Sequence, residues 1–128
     1  MSYAKLSLFL GAIGGLLGVG LGAFGAHALR ARFDDYSMRV FETAVQYQFY
    51  HALALLAVGL LLLQFPNSSL LKSSVPLFAL GILIFSGSLY LLSVTGIKWL
   101  GAITPLGGLA FIVGWVCLAI AALKLTVD

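Results

Sequence analysis

Hydrophobic positions fall into four long runs separated by short polar stretches. The runs are Leu6 to Ala28, which carries no charged residue, Ala44 to Leu63, Val75 to Val94 and Leu100 to Leu123. A helix that spans a bilayer needs about 20 apolar residues at 1.5 Å rise each, so every run fits one crossing and none fits two. In lipid each backbone amide must find its partner inside the segment, which leaves helix as the state of each run. The pattern predicts an all-α polytopic membrane protein. A single four-transmembrane-helix bundle fills residues 1–128, with helices near 6–28, 38–64, 75–94 and from 100 or 105 to 124.

The connections carry local signals. Leu29 to Thr43 holds Arg30, Arg32, Asp34, Asp35, Arg39 and Glu42, more than half of the chain's charges. Ser37 is the expected cap of the second helix. Gln64 to Ser74 contains Pro66, Asn67 and Ser68 and reads as a turn. Thr104-Pro105 resembles a cap followed by proline at the first helical position, which leaves Trp99 to Ile103 at the interface. Lys5 and the triplet Ala26-His27-Ala28 suggest a signal peptide, but the first run exceeds the roughly 7–15 apolar residues of such a segment. A retained first helix is expected.

Composition agrees with the pattern. Hydrophobic residues make up 62% of the chain and charged residues 9%, too few to cover the surface of a soluble domain. The net charge is +3, but the basic residues lie scattered near helix ends, so no phosphate-binding patch forms and no nucleic-acid partner is expected. Lys5, Lys72 and Lys124 fall on one side; Arg30, Arg32, Arg39 and Lys98 fall on the other, here called side X. The excess of one basic residue orients side X to the cytoplasm. Cys117 is the sole cysteine, so no intrachain disulfide forms.

Two features go beyond a generic span. Gly11, Gly15, Gly18, Gly22 and Gly25 recur every three or four residues and mark one stripe on the first helix. Small residues let helix backbones approach closely in lipid, within the chain or between copies. The second feature is a concentration of polar residues toward side X. His27 lies near the end of the first run, Gln48 and His51 near the start of the second, Ser86, Ser88 and Tyr90 in the last half of the third. Two readings fit: a shallow polar pocket lined by His27, Gln48, His51, Ser86, Ser88 and Tyr90, or a hydrogen-bond network that pins helix ends.

Catalytic chemistry finds little support. No Asp, Glu, Lys or Arg lies deep in a run, as proton-coupled pumps usually require. Ser86-Gly87-Ser88 lies in an apolar helix rather than on a strand-to-helix elbow. A zinc site needs three or four ligands, and none is assembled here. His27 and His51 could ligate a haem from two helices, but no haem-attachment motif occurs, and no metal or cofactor is expected.

Four stretches, in order, carry a resemblance: Gly22 to Leu29 (GAFGAHAL), Thr43 to Leu56 (TAVQYQFYHALALL), Phe85 to Leu91 (FSGSLYL) and Gly101 to Gly108 (GAITPLGG). Together they resemble the domain-of-unknown-function family of small membrane proteins typified by bacterial YgdD and YwdK, with a small transmembrane protein as eukaryotic relative. The resemblance implies four helices in the bacterial inner membrane and no assigned activity. The expected role is a non-enzymatic accessory or interaction subunit, in a larger membrane complex or by self-association. The alternative is a binding module for a lipid headgroup or quinone, and behind it a haem-binding electron carrier.

Overall fold

A computed structural model describes residues 1–127, and among these all regular structure is helical. Helix α1 spans Tyr3–Leu29, α2 Asp35–Gln64 and α3 Ser69–Thr95. A 3-10 turn at Lys98–Ala102 leads into α4, Thr104–Lys124. The first three helices, and the turn together with α4, are each long and apolar enough to cross a membrane. The protein is an all-α membrane protein with four spans.

Side chains start the helices where backbone N–H groups lack intrahelical partners. Ser2 Oγ accepts from Lys5 N–H at 3.2 Å, and Ser68 Oγ from Leu71 N–H at 3.3 Å. The cap of α2 is Asp34, whose Oδ1 accepts from Ser37 N–H at 2.7 Å. Ser37 therefore lies inside the helix and serves Asp34 as a donor rather than capping the helix itself. That bond favours the charged carboxylate and holds the Asp34 pKa below its ordinary value.

Helix α3 starts at Ser69, before the apolar run from Val75. In its polar first turns the hydroxyls are satisfied within the helix, Ser73 Oγ donating to the Ser69 carbonyl at 2.9 Å and Ser74 Oγ to that of Leu70 at 3.1 Å. Lys72 extends over the Tyr3 ring, 5.9 Å from its centroid, which keeps its ammonium at the membrane edge. At the other end Gly96 stops α3 in the left-handed region, φ 72°, with its N–H bonded to Leu92 O at 2.8 Å.

The helices lie in chain order, α1 against α2, α2 against α3 and α3 against α4. Helix α1 meets α3 mainly along Ser69–Gly81, and α4 reaches α2 through aromatic side chains. The larger apolar cluster sits away from side X, where Leu55, Val58 and Leu62 of α2 pack on Leu71, Val75 and Phe78 of α3, and a smaller one, Ala44, Leu89, Leu92 and Leu100, lies toward side X. Two stretches are wound as π-helix, Gly20–Gly25 in α1 and Ile82–Ser86 in α3. There Ala26 N–H bonds Leu21 O and Gly87 N–H bonds Ile82 O, five residues back.

Glycine sets the close approaches. A methyl at Gly11 would fall 2.8 Å from Ala52 O, at Gly18 2.6 Å from the Phe49 ring, and at Gly22 2.9 Å from Val45 Cγ1. At Gly25 the nearest atom is Phe41 Cζ at 3.3 Å. Gly15 meets nothing within 4 Å, whereas Gly14 meets Ala52 Cβ at 3.0 Å. Gly14 thus takes the place in the α1–α2 seam that the spacing assigns to Gly15. On this basis Gly18→Leu is expected to lower the melting temperature in detergent clearly. Gly15→Leu should leave it level or raise it, since glycine costs a helix about 1 kcal/mol relative to good helix formers. Equal losses at both positions in a thermal unfolding assay would refute the seam.

Between α3 and α4 the packing is phenylalanine against glycine. Gly81 lies under Phe111, Gly114 under Phe78, and Gly107 against the backbone of Phe85. The Phe111 and Phe78 rings occupy the space a side chain at Gly81 and Gly114 would take, which supplies contact where lipid offers no hydrophobic gain for helix association.

Candidate functional site: polar residues of the X half

Helix α2 is the hub. Gln48 and His51, three residues apart, are both buried and serve different neighbours. Gln48 Nε2 donates to the Gly14 carbonyl of α1 at 2.9 Å. Its Oε1 accepts from the Tyr90 hydroxyl of α3 at 2.6 Å. One amide thereby joins three helices, and the glycine backbone of α1 is bare enough to accept the bond.

His51 turns toward α4. Its Nδ1 lies 2.7 Å from the Tyr47 carbonyl, and its Nε2 accepts from Trp115 Nε1–H at 3.0 Å. A carbonyl only accepts and an indole N–H only donates, so the ring is fixed as the neutral tautomer protonated at Nδ1. The imidazole lies parallel to Phe111, with centroids 3.5 Å apart and an interplanar angle of 7°. Phe78 and Trp115 close in at 5.6 Å and 5.8 Å. Both ring nitrogens are engaged, so axial ligation of a haem iron through Nε2 would first break the Trp115 bond.

The serines of α3 complete the set. Ser86 Oγ donates to the Ala44 carbonyl of α2 at 2.7 Å. Ser88 Oγ lies 2.9 Å from Phe85 O and 2.5 Å from Thr104 Oγ1, at the start of α4. Gln48, Ser86 and Tyr90 lie toward α1, and His51 lies toward α4. The candidate residues therefore form two groups, one toward α1 and one toward α4, rather than one pocket.

His27 joins neither group. It is exposed, two residues beyond Gly25. Two residues turn a helix by about 200°, which carries His27 away from the seam that Gly25 makes with α2. Its depth differs as well, since it lies within one turn of the α1 end while His51 lies sixteen residues into α2. Among the described residues, no group of three His, Cys, Asp or Glu side chains could hold a metal ion.

Sequence reasoning missed three participants. Trp115 supplies the donor to His51, and its position ten residues beyond Pro105, about 15 Å along the helix, was the available signal. Tryptophan usually sits at the membrane interface, so one at this depth needs a partner. Ser7 and Ser74 are fully buried in the other half of the membrane. Ser7 Oγ donates to Leu55 O at 2.6 Å, and Ser74 Oγ lies 3.4 Å from Gly114 O.

Residues 21–108 match the family described as "Protein of unknown function (DUF423)". The chain belongs to the DUF423 family. The matched segment contains Gln48, His51, Ser86, Ser88 and Tyr90 and stops short of Trp115. The chain is 50% identical over 120 residues to the UPF0382 membrane protein YwdK of Bacillus subtilis, covering 94% of this chain and 98% of that protein. It is 47% identical over 120 residues to the UPF0382 membrane protein SAB0533 of Staphylococcus aureus, and 46% identical over 120 residues to SERP0230 of Staphylococcus epidermidis. Each of these matches covers 94% of this chain and 97% of the relative. No solved structure matches. The names of this DUF423 member's relatives give a membrane location and no reaction.

Proposed function

We propose that this DUF423 member is a non-enzymatic accessory or interaction subunit of a bacterial inner, or plasma, membrane. The supporting observation is the use made of the polar residues. Gln48, His51, Ser86, Ser88 and Tyr90 each take part in a hydrogen bond that joins two helices. Polar groups committed in this way stabilise an arrangement, because lipid offers no replacement partner. Such a scaffold presents its outer faces to other components of the membrane. Support for an electron carrier is weaker, since His27 and His51 lie on different faces and at different depths.

The test is affinity purification of the full tagged chain from native membranes in a mild detergent, with quantitative mass spectrometry. The expected result is stable recovery of one larger membrane complex in fixed proportion. Recovery of the chain alone, at the size of one copy and with no partner in constant ratio, would contradict the proposal.

A further inference from the structure

Helices α1 and α3 both pack on α2 but separate from each other toward side X, and a cavity of about 310 Å³ lies between them. Leu10, Ile13 and Leu17 of α1 form one wall, and Ile82 and Leu83 of α3 the other. Leu17 and Leu83 are exposed at its rim, so in a bilayer the cavity opens sideways into the hydrocarbon. We propose that this groove binds an uncharged, carbonyl-bearing membrane lipid, with the carbonyl at Gln48 and the chain leaving between Leu17 and Leu83.

Three observations carry the assignment. The lining is apolar except for Gln48, Ser86 and Tyr90. Ser86 spends its proton on Ala44 O, and Tyr90 spends its proton on Gln48 Oε1. Gln48 Nε2 gives one proton to Gly14 O and has a second, since a primary amide carries two. The floor therefore offers a donor to a ligand carbonyl. No charged side chain lines the cavity, so a phosphate or an ammonium would enter without a counter-charge, which low-dielectric surroundings penalise heavily. The head must be neutral.

The second observation is the winding of the walls. Both π-helical stretches border the groove, the first through Leu21 and the second through Ile82, Leu83 and Ser86. A π-turn inserts an extra residue and re-aims the side chains beyond it, and such turns recur at functional sites. Here the two turns face each other across one cavity. The third observation is Gly87, which lines the groove and has nothing within 4 Å of where its Cβ would be. Its φ of −59° and ψ of −45° suit any helical residue, so neither packing nor backbone requires glycine there. The absent side chain leaves room in the groove.

Neutral carbonyl lipids come from two sources, isoprenoid quinones and diacylglycerols, and binding assays separate them. The full chain in detergent would be titrated with a benzoquinone bearing two isoprene units and, separately, with dioctanoylglycerol, by native mass spectrometry. Saturable binding of one probe at a single site is expected, weakened at least tenfold in Gly87→Leu and in Gln48→Leu. Gly87→Leu should melt no lower than the parent, so its loss of binding would not reflect unfolding. Gly87→Ala, with little added volume, should bind nearly as the parent does. Three outcomes would overturn the proposal: neither probe binding, Gly87→Leu binding both as the parent does, or Gly87→Leu dissociating a dimer of the parent that binds no probe. The last would make the groove a contact between copies of the chain.

Discussion

Gly107→Ala is expected to be among the most destabilising single substitutions in the chain. The new methyl would fall within overlap distance of the Phe85 backbone nitrogen and 2.8 Å from Phe85 Cα. Backbone atoms have no rotamer to change, so α3 and α4 must move apart. That separation would disturb the neighbouring contacts of Gly81 with Phe111 and Gly114 with Phe78. Alanine gains about 1 kcal/mol of helix propensity over glycine. Overpacking against rigid neighbours costs about 1–3 kcal/mol and sometimes more, so the penalty wins. A net loss of about 1–2 kcal/mol is expected. Gly108→Ala makes the control, because its nearest neighbours lie 3.7 and 3.9 Å away on the Phe85 ring. Reversible unfolding in mixed micelles should show the first variant well below the second. Equal stability would mean that α4 does not lie on α3 as described.

His51→Leu should have the second large effect. The change leaves the Trp115 N–H without its acceptor and removes the ring that stacks on Phe111. A donor left without an acceptor away from water costs about 1–3 kcal/mol, and an aromatic pair contributes about 0.5–1.5 kcal/mol. Measured hydrogen bonds between membrane helices are often weaker, near 0.6 kcal/mol on average, because the unfolded helices find other partners. A loss of about 2 kcal/mol is the expected balance. His51→Gln can retain an acceptor for Trp115 and should be milder. Adding Trp115→Phe to His51→Leu should cost less than the two single losses combined, since the donor and its acceptor vanish together. Strict additivity would show that the two side chains are not coupled.

The fold was largely legible because lipid imposes simple rules. Four bilayer-length runs required four helices, and the charges between Arg30 and Glu42 marked the boundary between the first two; the connection itself is only Arg30 to Asp34, because α2 begins at Asp35. Contacts between helices were less legible. Gly14 and Gly15 differ by about 100° around α1 and lie on either side of the stripe's midline. Periodicity cannot choose between them; the position of Ala52 on α2 does. The polar residues were visible as a set, but their division into two flanks was not, because Gln48 and His51 look like neighbours on one helix. They separate because Gln48 meets the bare Gly14 backbone on one flank while His51 meets Trp115 on the other. His27 shared a half of the membrane with them in the sequence, yet its rotation about α1 sets it apart. Ser7 and Ser74 were hidden by their small size among apolar residues, where each reaches a carbonyl of a neighbouring helix.

The central claim is that Gln48, His51, Ser86, Ser88 and Tyr90 are committed to holding helices together, with His51 as the link between α2 and α4. The most direct measurement is nitrogen NMR of histidine- and tryptophan-labelled protein in lipid bilayers. The account predicts a single His51 tautomer protonated at Nδ1, with Nε2 coupled through a hydrogen bond to the Trp115 indole proton. A His51 ring that averages between tautomers, or whose Nε2 carries its own proton and shows no coupling to Trp115, would contradict it.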